Sequence, residues 1–280
     1  MLKIDTHHHF WNVSEVEYSW LTAQNGVIYD TFMPDQLHPL LQSAGIDKTV
    51  IVQSANNYED TASMFVHADY QPWIGAVTGW SNLLDPDETH RRMQQYTKHP
   101  KFRGVRHLIH LEADPDWLIR PEVIESLNVL AAHNVIFEVG AGFPLHLKHV
   151  PTLAQRAPNL KMVICHMAKP PIRAKQMSPW SDQFKAASES PNVYAKISGL
   201  NTAADYSTWK SDDLKPYIDF AIECFGANRL MFGSDWPVLL FAGDYHKVWT
   251  ETNRALQGHA PDDIAMILGG TAMQFYRIAP

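Results

Sequence analysis

Met162-Val163-Ile164-Cys165-His166-Met167-Ala168-Lys169-Pro170 begins as an uninterrupted apolar run and ends on a histidine and a lysine. A half-exposed strand alternates apolar and polar residues, so an unbroken run predicts a strand covered on both faces, as in a parallel sheet. The pattern repeats in both directions along the chain. Comparable runs, rich in Val and Ile, occupy residues 2–9, 49–53, 73–80, 104–108, 135–139, 193–198 and 230–235, the quoted strand itself covering 162–167. Segments of helical period lie between them, including 34–44, 86–99, 121–133 and 213–225, and several carry Pro or Asp in the first turn, where both suit a helix start. Eight alternating units predict an α/β fold, a single (β/α)8 TIM barrel, with an open doubly wound sheet as the alternative.

Length agrees with that reading. The 280 residues are close to the roughly 250 of one α/β barrel, so residues 1–280 are expected to form one domain. Hydrophobic residues make up 45% of the chain, enough for a large core, and charged residues 19%, too few for a disordered one. The net charge is −7 and the 23 Lys and Arg residues are scattered, which argues against a basic face for nucleic acid or anionic lipid. Cys165 and Cys224 are the only cysteines, so neither a disulfide framework nor a Cys-rich zinc module is expected. The N-terminus reaches Asp5 and three histidines before a signal-peptide stretch could form, and no uncharged apolar run of about 18 residues follows. The expectation is a soluble, cytoplasmic protein. Its 15 His and 9 Trp are many for this length, and Trp suits ligand clefts.

In α/β barrels catalytic groups stand at the C-terminal ends of the strands. The polar residues of this chain collect there: His7 and His9 on the first run, Arg106 and His107 on the fourth, Glu138 on the fifth, His166 on the sixth, Lys196 and Ser198 on the seventh, Ser234 and Asp235 on the eighth. Side chains alternate along a strand, so His7 and His9 point one way and His8 the other, where it reads as packing beneath the first helix. By spacing alone, His7 and His9 are as readily a structural pair as a functional one. Asp235 closes an apolar strand that Pro237 prevents from continuing, and a turn or cap carboxylate is its plain alternative. A satisfied core histidine is the alternative for His166.

Ile4–Trp11 (IDTHHHFW), YSWL at 18–21, VQSANNYEDT at 52–61, AVTGW at 76–80, GVRH at 104–107, ICHMAKP at 164–170, PNVYAKISGL at 191–200 and RLMFGSDWPV at 229–238 follow one another in this order. With HxH on strand one, His on strand six and Asp on strand eight, the chain resembles the amidohydrolase superfamily over residues 2–278. The similarity is greatest to the lactonase subgroup, which includes L-fuconolactonase, L-rhamnonolactonase and 2-pyrone-4,6-dicarboxylate lactonase.

The resemblance implies an enzyme, a hydrolase opening a sugar-acid lactone, with Asp235 as general base for water and His7, His9 and His166 around the substrate carbonyl. Those residue types suit the chemistry, since a carboxylate can take a proton while donors stabilise the tetrahedral oxyanion. Arg106, His107, Lys169, Trp11, Trp20 and Trp236 are the expected substrate contacts, Arg106 through its paired donors and the Trp rings by stacking on a sugar. A structural ion pair is the alternative for Arg106. Metal-dependent members place a histidine on strand five, where this chain has Phe137-Glu138-Val139, so no metal is expected to be required. His7, His9 and Asp235 could still hold a zinc, completed by Glu138 or His166. Ser198-Gly199-Leu200-Asn201-Thr202 lacks the Arg of the pyrone-dicarboxylate branch, which favours a hydroxylated, weakly charged substrate. The rival readings are a metal-dependent decarboxylase of the same superfamily and a non-catalytic sugar- or metal-binding barrel. The expected partner is a small-molecule substrate, without nucleic acid or membrane, and the sequence leaves a homo-oligomer open.

Overall fold

The computed structural model describes residues 1–140 and 142–279. Its strands are β1 (Ile4–His8), β2 (Lys48–Val52), β3 (Ile74–Gly79), β4 (Phe102–Arg106), β5 (Ile136–Val139), β6 (Met162–Ile164), β7 (Val193–Ile197) and β8 (Leu230–Phe232). They pair in parallel and in chain order. The segment after β8 returns to β1: Asp235 N donates to His7 O at 2.7 Å and His9 N to Trp236 O at 2.8 Å. The buried Asp5 carboxylate adds to the seam by accepting from Ser234 N at 2.8 Å. The architecture is the (β/α)8 TIM barrel that the apolar runs predict.

Helices α1 (Pro34–Ala44), α2 (Tyr58–Tyr70), α3 (Pro86–Tyr96), α4 (Pro121–Ala132), α5 (Val150–Arg156), α6 (Trp180–Ser188), α7 (Ser211–Phe225) and α8 (Tyr245–Ala255) follow the strands in turn, and α9 (Pro261–Ala265) and α10 (Thr271–Tyr276) come after them. Side-chain oxygens of Asn57, Asp85 and Asp244 accept the N–H three residues on, at 2.8, 2.9 and 2.7 Å, satisfying donors that the first turn leaves free. Three helix bounds differ from expectation, α4 by the single residue His133. α3 stops at Tyr96, where Thr97 turns its hydroxyl back onto Met93 O. α7 begins at Ser211 because Asp213 reaches back from inside the first turn to accept from Lys210 N.

Two apolar layers hold the barrel. Leu37, Met64, Met93, Leu127, Phe184 and Ile218 fill the space between strands and helices. Inside, Ile4, Val50, Ala76, Ile136, Val163 and Met231 meet Ala272, Phe275 and Tyr276 of α10, which plugs the floor. Burying each large aliphatic side chain contributes about 1.5–3 kcal/mol. The dry floor also forces any polar group above it to find a partner within the barrel. Among the described residues no helix is long and apolar enough to cross a membrane.

Candidate active site

β6 and β8 stop short of the runs read from the sequence, at Ile164 and Phe232, and the residues beyond them build the site. After β6, His166, Met167, Ala168 and Lys169 take φ of 55, 50, 59 and 56°, four consecutive non-glycine residues in the left-handed region. That conformation is disfavoured by about 1–2 kcal/mol per residue, so the surroundings must impose it. Lys169 N donates to His166 O and Phe143 N to Ala168 O, both at 2.8 Å, and Trp180 Nε1 donates to Met167 O at 2.9 Å. The turn sets His166 and Lys169 together beside Asp235, itself left-handed at φ 65°.

Asp235 Oδ1 lies 3.8 Å from His7 Nε2, 3.5 Å from His9 Nε2 and 3.7 Å from His166 Nε2. Lys169 Nζ stands 3.7 Å from Asp235 Oδ2 and donates to Thr202 Oγ1 at 2.7 Å. Burial pushes the Asp235 pKa up, but His166, His9 and Lys169 together outweigh it and hold the carboxyl well below its usual range. Burial moves His166 well below the ordinary imidazole value, reinforced by Lys169 and Arg106 against the opposing pull of Asp235. His7 is shifted the same way, first by burial and then by Lys196, His166 and His9. Asp235 is therefore the group that favours its ionised form, while burial disfavours a charge on His7 and His166.

Second contacts fix the rings. His9 Nδ1 donates to Val52 O at 2.8 Å, which turns Nε2 toward Asp235. His166 Nδ1 is 2.8 Å from Ser198 Oγ. Gly199, at φ 56°, lets the backbone pass close by: a Cβ there would lie 2.6 Å from Asp235 Oδ2 and 2.8 Å from His166 Nδ1. Beneath, Glu138 Oε2 meets Lys196 Nζ at 2.6 Å while Oε1 accepts from Thr78 Oγ1 at 2.8 Å and Tyr276 OH at 2.6 Å. Burial raises the Glu138 pKa, and the Lys196 charge with these hydrogen bonds overcomes it, leaving the carboxyl below its ordinary value.

Above this layer opens a cavity of about 500 Å³, lined by the polar residues His9, Arg106, His110, His166, Lys169 and Asp235 and by the apolar residues Phe143, Pro144, Leu145 and Val238. Trp20 also lines it, its indole tied to Ser54 O. His7 sits behind Asp235, fully buried, rather than in the cavity wall. His8 faces away, bonding Thr49 Oγ1 at 2.8 Å.

The expected substrate contacts divide. Arg106 and Lys169 reach the cavity with Trp20, whereas His107, Trp11 and Trp236 lie behind its wall. His107 follows inward-facing Arg106 and so points outward, accepting from Trp80 Nε1 at 3.0 Å, meeting Glu112 Oε1 at 2.6 Å and stacking on Trp117. Trp11 donates to Asp30 O, and Trp236 is packed between Phe10 and Phe32. Arg106 pairs with no carboxylate among the described residues; its Nη1 donates to Gln53 O and Oε1, both at 3.1 Å. His110 is a cavity residue that the sequence did not single out. It stands on a short 3-10 turn after β4, where no periodicity marks it, and burial together with Arg106 lowers its pKa to about 4.

His7, His9 and Asp235 offer ligand atoms within 4.8 Å of one another, so their positions fit a divalent metal. His7, Glu138 and Cys165 meet the same separation, but there the Lys196 ammonium already neutralises Glu138. Glu138 is thus committed to Lys196, while His166 Nε2 lies 3.7 Å from Asp235 Oδ1.

Residues 4–278 match the amidohydrolase family model. The chain is 36% identical to an L-fucono-1,5-lactonase of Burkholderia ambifaria over 99% of its own length and 96% of the relative's. It is 30% identical to an L-fucono-1,5-lactonase of Burkholderia multivorans, with the same shares covered. The crystal structure of a Burkholderia multivorans amidohydrolase with bound zinc matches at a TM-score of 0.91 and 29% identity, over 100% of both chains. Barrel, strand-end histidines and strand-eight aspartate agree with a match that spans nearly every residue, and the chain belongs to the amidohydrolase family.

Proposed function

We propose that this protein is a hydrolase that opens sugar-acid lactones, aldono-1,5-lactones foremost, by adding water to the ring ester. One observation carries the reading: an ionised Asp235, ringed by three imidazole nitrogens at 3.5–3.8 Å, stands at the base of a closed-floored cavity. The kinship with two L-fucono-1,5-lactonases along almost the whole chain supports the substrate class. The apolar lining residues Phe143, Pro144, Leu145 and Val238 offer a sugar ring a dry surface, and the polar ones offer donors for its oxygens.

In this reading Asp235 takes a proton from water as the water oxygen bonds to the carbonyl carbon. Arg106 and His166 face the oxygen that becomes the oxyanion, and one well-placed donor of this kind is worth about a hundred- to a thousandfold in rate. Collapse breaks the ring C–O bond, and the proton held by Asp235 passes to the departing alkoxide, giving the open hydroxy acid. A carboxylate held so far down is a weak base, but it is always ionised, and it returns its proton readily to an alkoxide. A divalent metal held by His7, His9 and Asp235 would supply Lewis-acid polarisation and a more acidic water; the proton transfers themselves use the chain's own groups.

A panel of aldonolactones including L-fucono-1,5-lactone, followed with a pH indicator, tests this. Acid release well above the buffer rate is expected, greatest for six-membered rings. A folded protein that accelerates none of them refutes the reading.

A further inference from the structure

The Lys196–Glu138 pair takes no part in those steps, yet it ends on His7. The Lys196 ammonium has three N–H bonds and three neighbours in reach: Glu138 Oε2 at 2.6 Å, Thr6 O at 2.7 Å and His7 Nδ1 at 3.2 Å. Carboxylate and carbonyl can only accept, and Thr78 and Tyr276 occupy the other Glu138 oxygen. The third N–H falls to His7 Nδ1, whose lone pair must face it, because an imidazole N–H there would oppose two donors. A neutral imidazole with a bare Nδ1 carries its hydrogen on Nε2. That nitrogen lies 3.8 Å from Asp235 Oδ1 and has no hydrogen-bond partner among the described residues.

We propose that Lys196 is a positioning residue that holds His7 in the Nε2–H tautomer, so that His7 turns an N–H toward Asp235 and a metal ion could bind there only by displacing that hydrogen. His9 is set the opposite way. Its Nδ1–H is spent on Val52 O, so in the neutral ring Nε2 is the bare nitrogen, the usual arrangement of a metal-binding histidine. Two histidines two residues apart thus carry their hydrogens on different nitrogens, and the difference traces through Lys196 and Glu138 to Tyr276 of the floor plug.

Long-range proton–nitrogen NMR of the 15N-labelled protein as purified reads the tautomer directly, with His7 assigned by loss of its signals in His7→Gln. The expected result is a bare Nδ1 and a protonated Nε2; a protonated Nδ1 in the wild-type protein overturns the proposal. The causal arm uses Lys196→Met combined with Glu138→Met, which removes both charges and the donor that faces Nδ1. In that variant the tautomer is expected to reverse, and zinc affinity, measured by elemental analysis after equilibrium dialysis, to rise by at least about tenfold. A folded double variant that keeps Nε2–H refutes the role of Lys196, and if it does not fold, the wild-type spectrum still decides. The catalytic purpose of this positioning rests on the lactonase reading: a protein that opens no lactone yet shows this tautomer refutes that function and leaves the tautomer assignment standing.

Discussion

Glu138→Gln keeps the shape of the side chain and removes the charge on which Lys196 sits. At 2.6 Å the attraction is about 6 kcal/mol for an effective dielectric near 20. In the wild-type protein dehydration of both ions offsets most of it. In the variant Lys196 stays buried with nothing to balance its charge, and the amide deepens the mismatch: the hydroxyls of Thr78 and Tyr276 retain the amide oxygen at Oε1, so its NH2 faces the ammonium. Removing one partner of such a pair typically destabilises by about 3–5 kcal/mol, and a loss of that size is expected for Glu138→Gln. The assay is guanidinium unfolding followed by circular dichroism, for Glu138→Gln, for Lys196→Met and for the two combined, the combination losing less than the sum. Because the folded Glu138 carboxyl titrates below its ordinary 4.5, its contribution is full above that value and is lost as pH falls through the folded one. The gap between variant and wild type should therefore hold from neutral pH downward and close only in acid. A Glu138→Gln protein within about 1 kcal/mol of wild type at pH 7 would refute the ion pair, and with it the donor that faces His7.

Gly199→Ala is expected to leave a folded barrel with activity largely lost, since its Cβ would press on both Asp235 and His166; wild-type kcat in that variant would contradict the site geometry. Asp60 is buried with its carboxylate on Ser54 N and Ala55 N, and burial, against those bonds and Arg106, raises its pKa to about 7. Its folded value lies above the unfolded 3.8, so ionisation weakens the fold progressively as pH rises from 3.8 to about 7. Asp60→Asn should therefore gain unfolding free energy over wild type at pH 8 more than at pH 5, by an amount on the order of a few kcal/mol in guanidinium unfolding, and an equal gap at both pH values would refute the shift. Exhaustive chelation, with metal content checked by elemental analysis, is expected to leave lactone opening intact; activity lost and restored by zinc would put the metal in the mechanism.

The barrel was legible because each strand, covered on both faces, stands out as an apolar run between helical segments. Alternation likewise put His7 and His9 together and His8 away from them. The same rule, applied to Arg106, already sends His107 outward, so that signal was present in the sequence. The turn from His166 to Lys169 was not legible: none of its four residues is Gly, Asn or Asp, the types that enter the left-handed region readily, and tertiary contacts impose it. Nor was the Lys196–Glu138 pair, because β7 and β5 are not neighbours and their side chains meet only across the interior of the closed barrel. Trp11 and Trp236, expected to stack on a sugar, are instead packed against Phe10 and Phe32, partners that no local sequence pattern identifies.

The kinetics of Asp235→Asn test the central claim most directly, since the amide preserves the shape of the side chain and removes the charge that three histidines and Lys169 surround. On a lactone the wild-type protein opens, kcat should fall at least about a hundredfold, roughly 2.7 kcal/mol, with the circular dichroism spectrum unchanged. A folded Asp235→Asn protein with near-normal turnover would contradict the account.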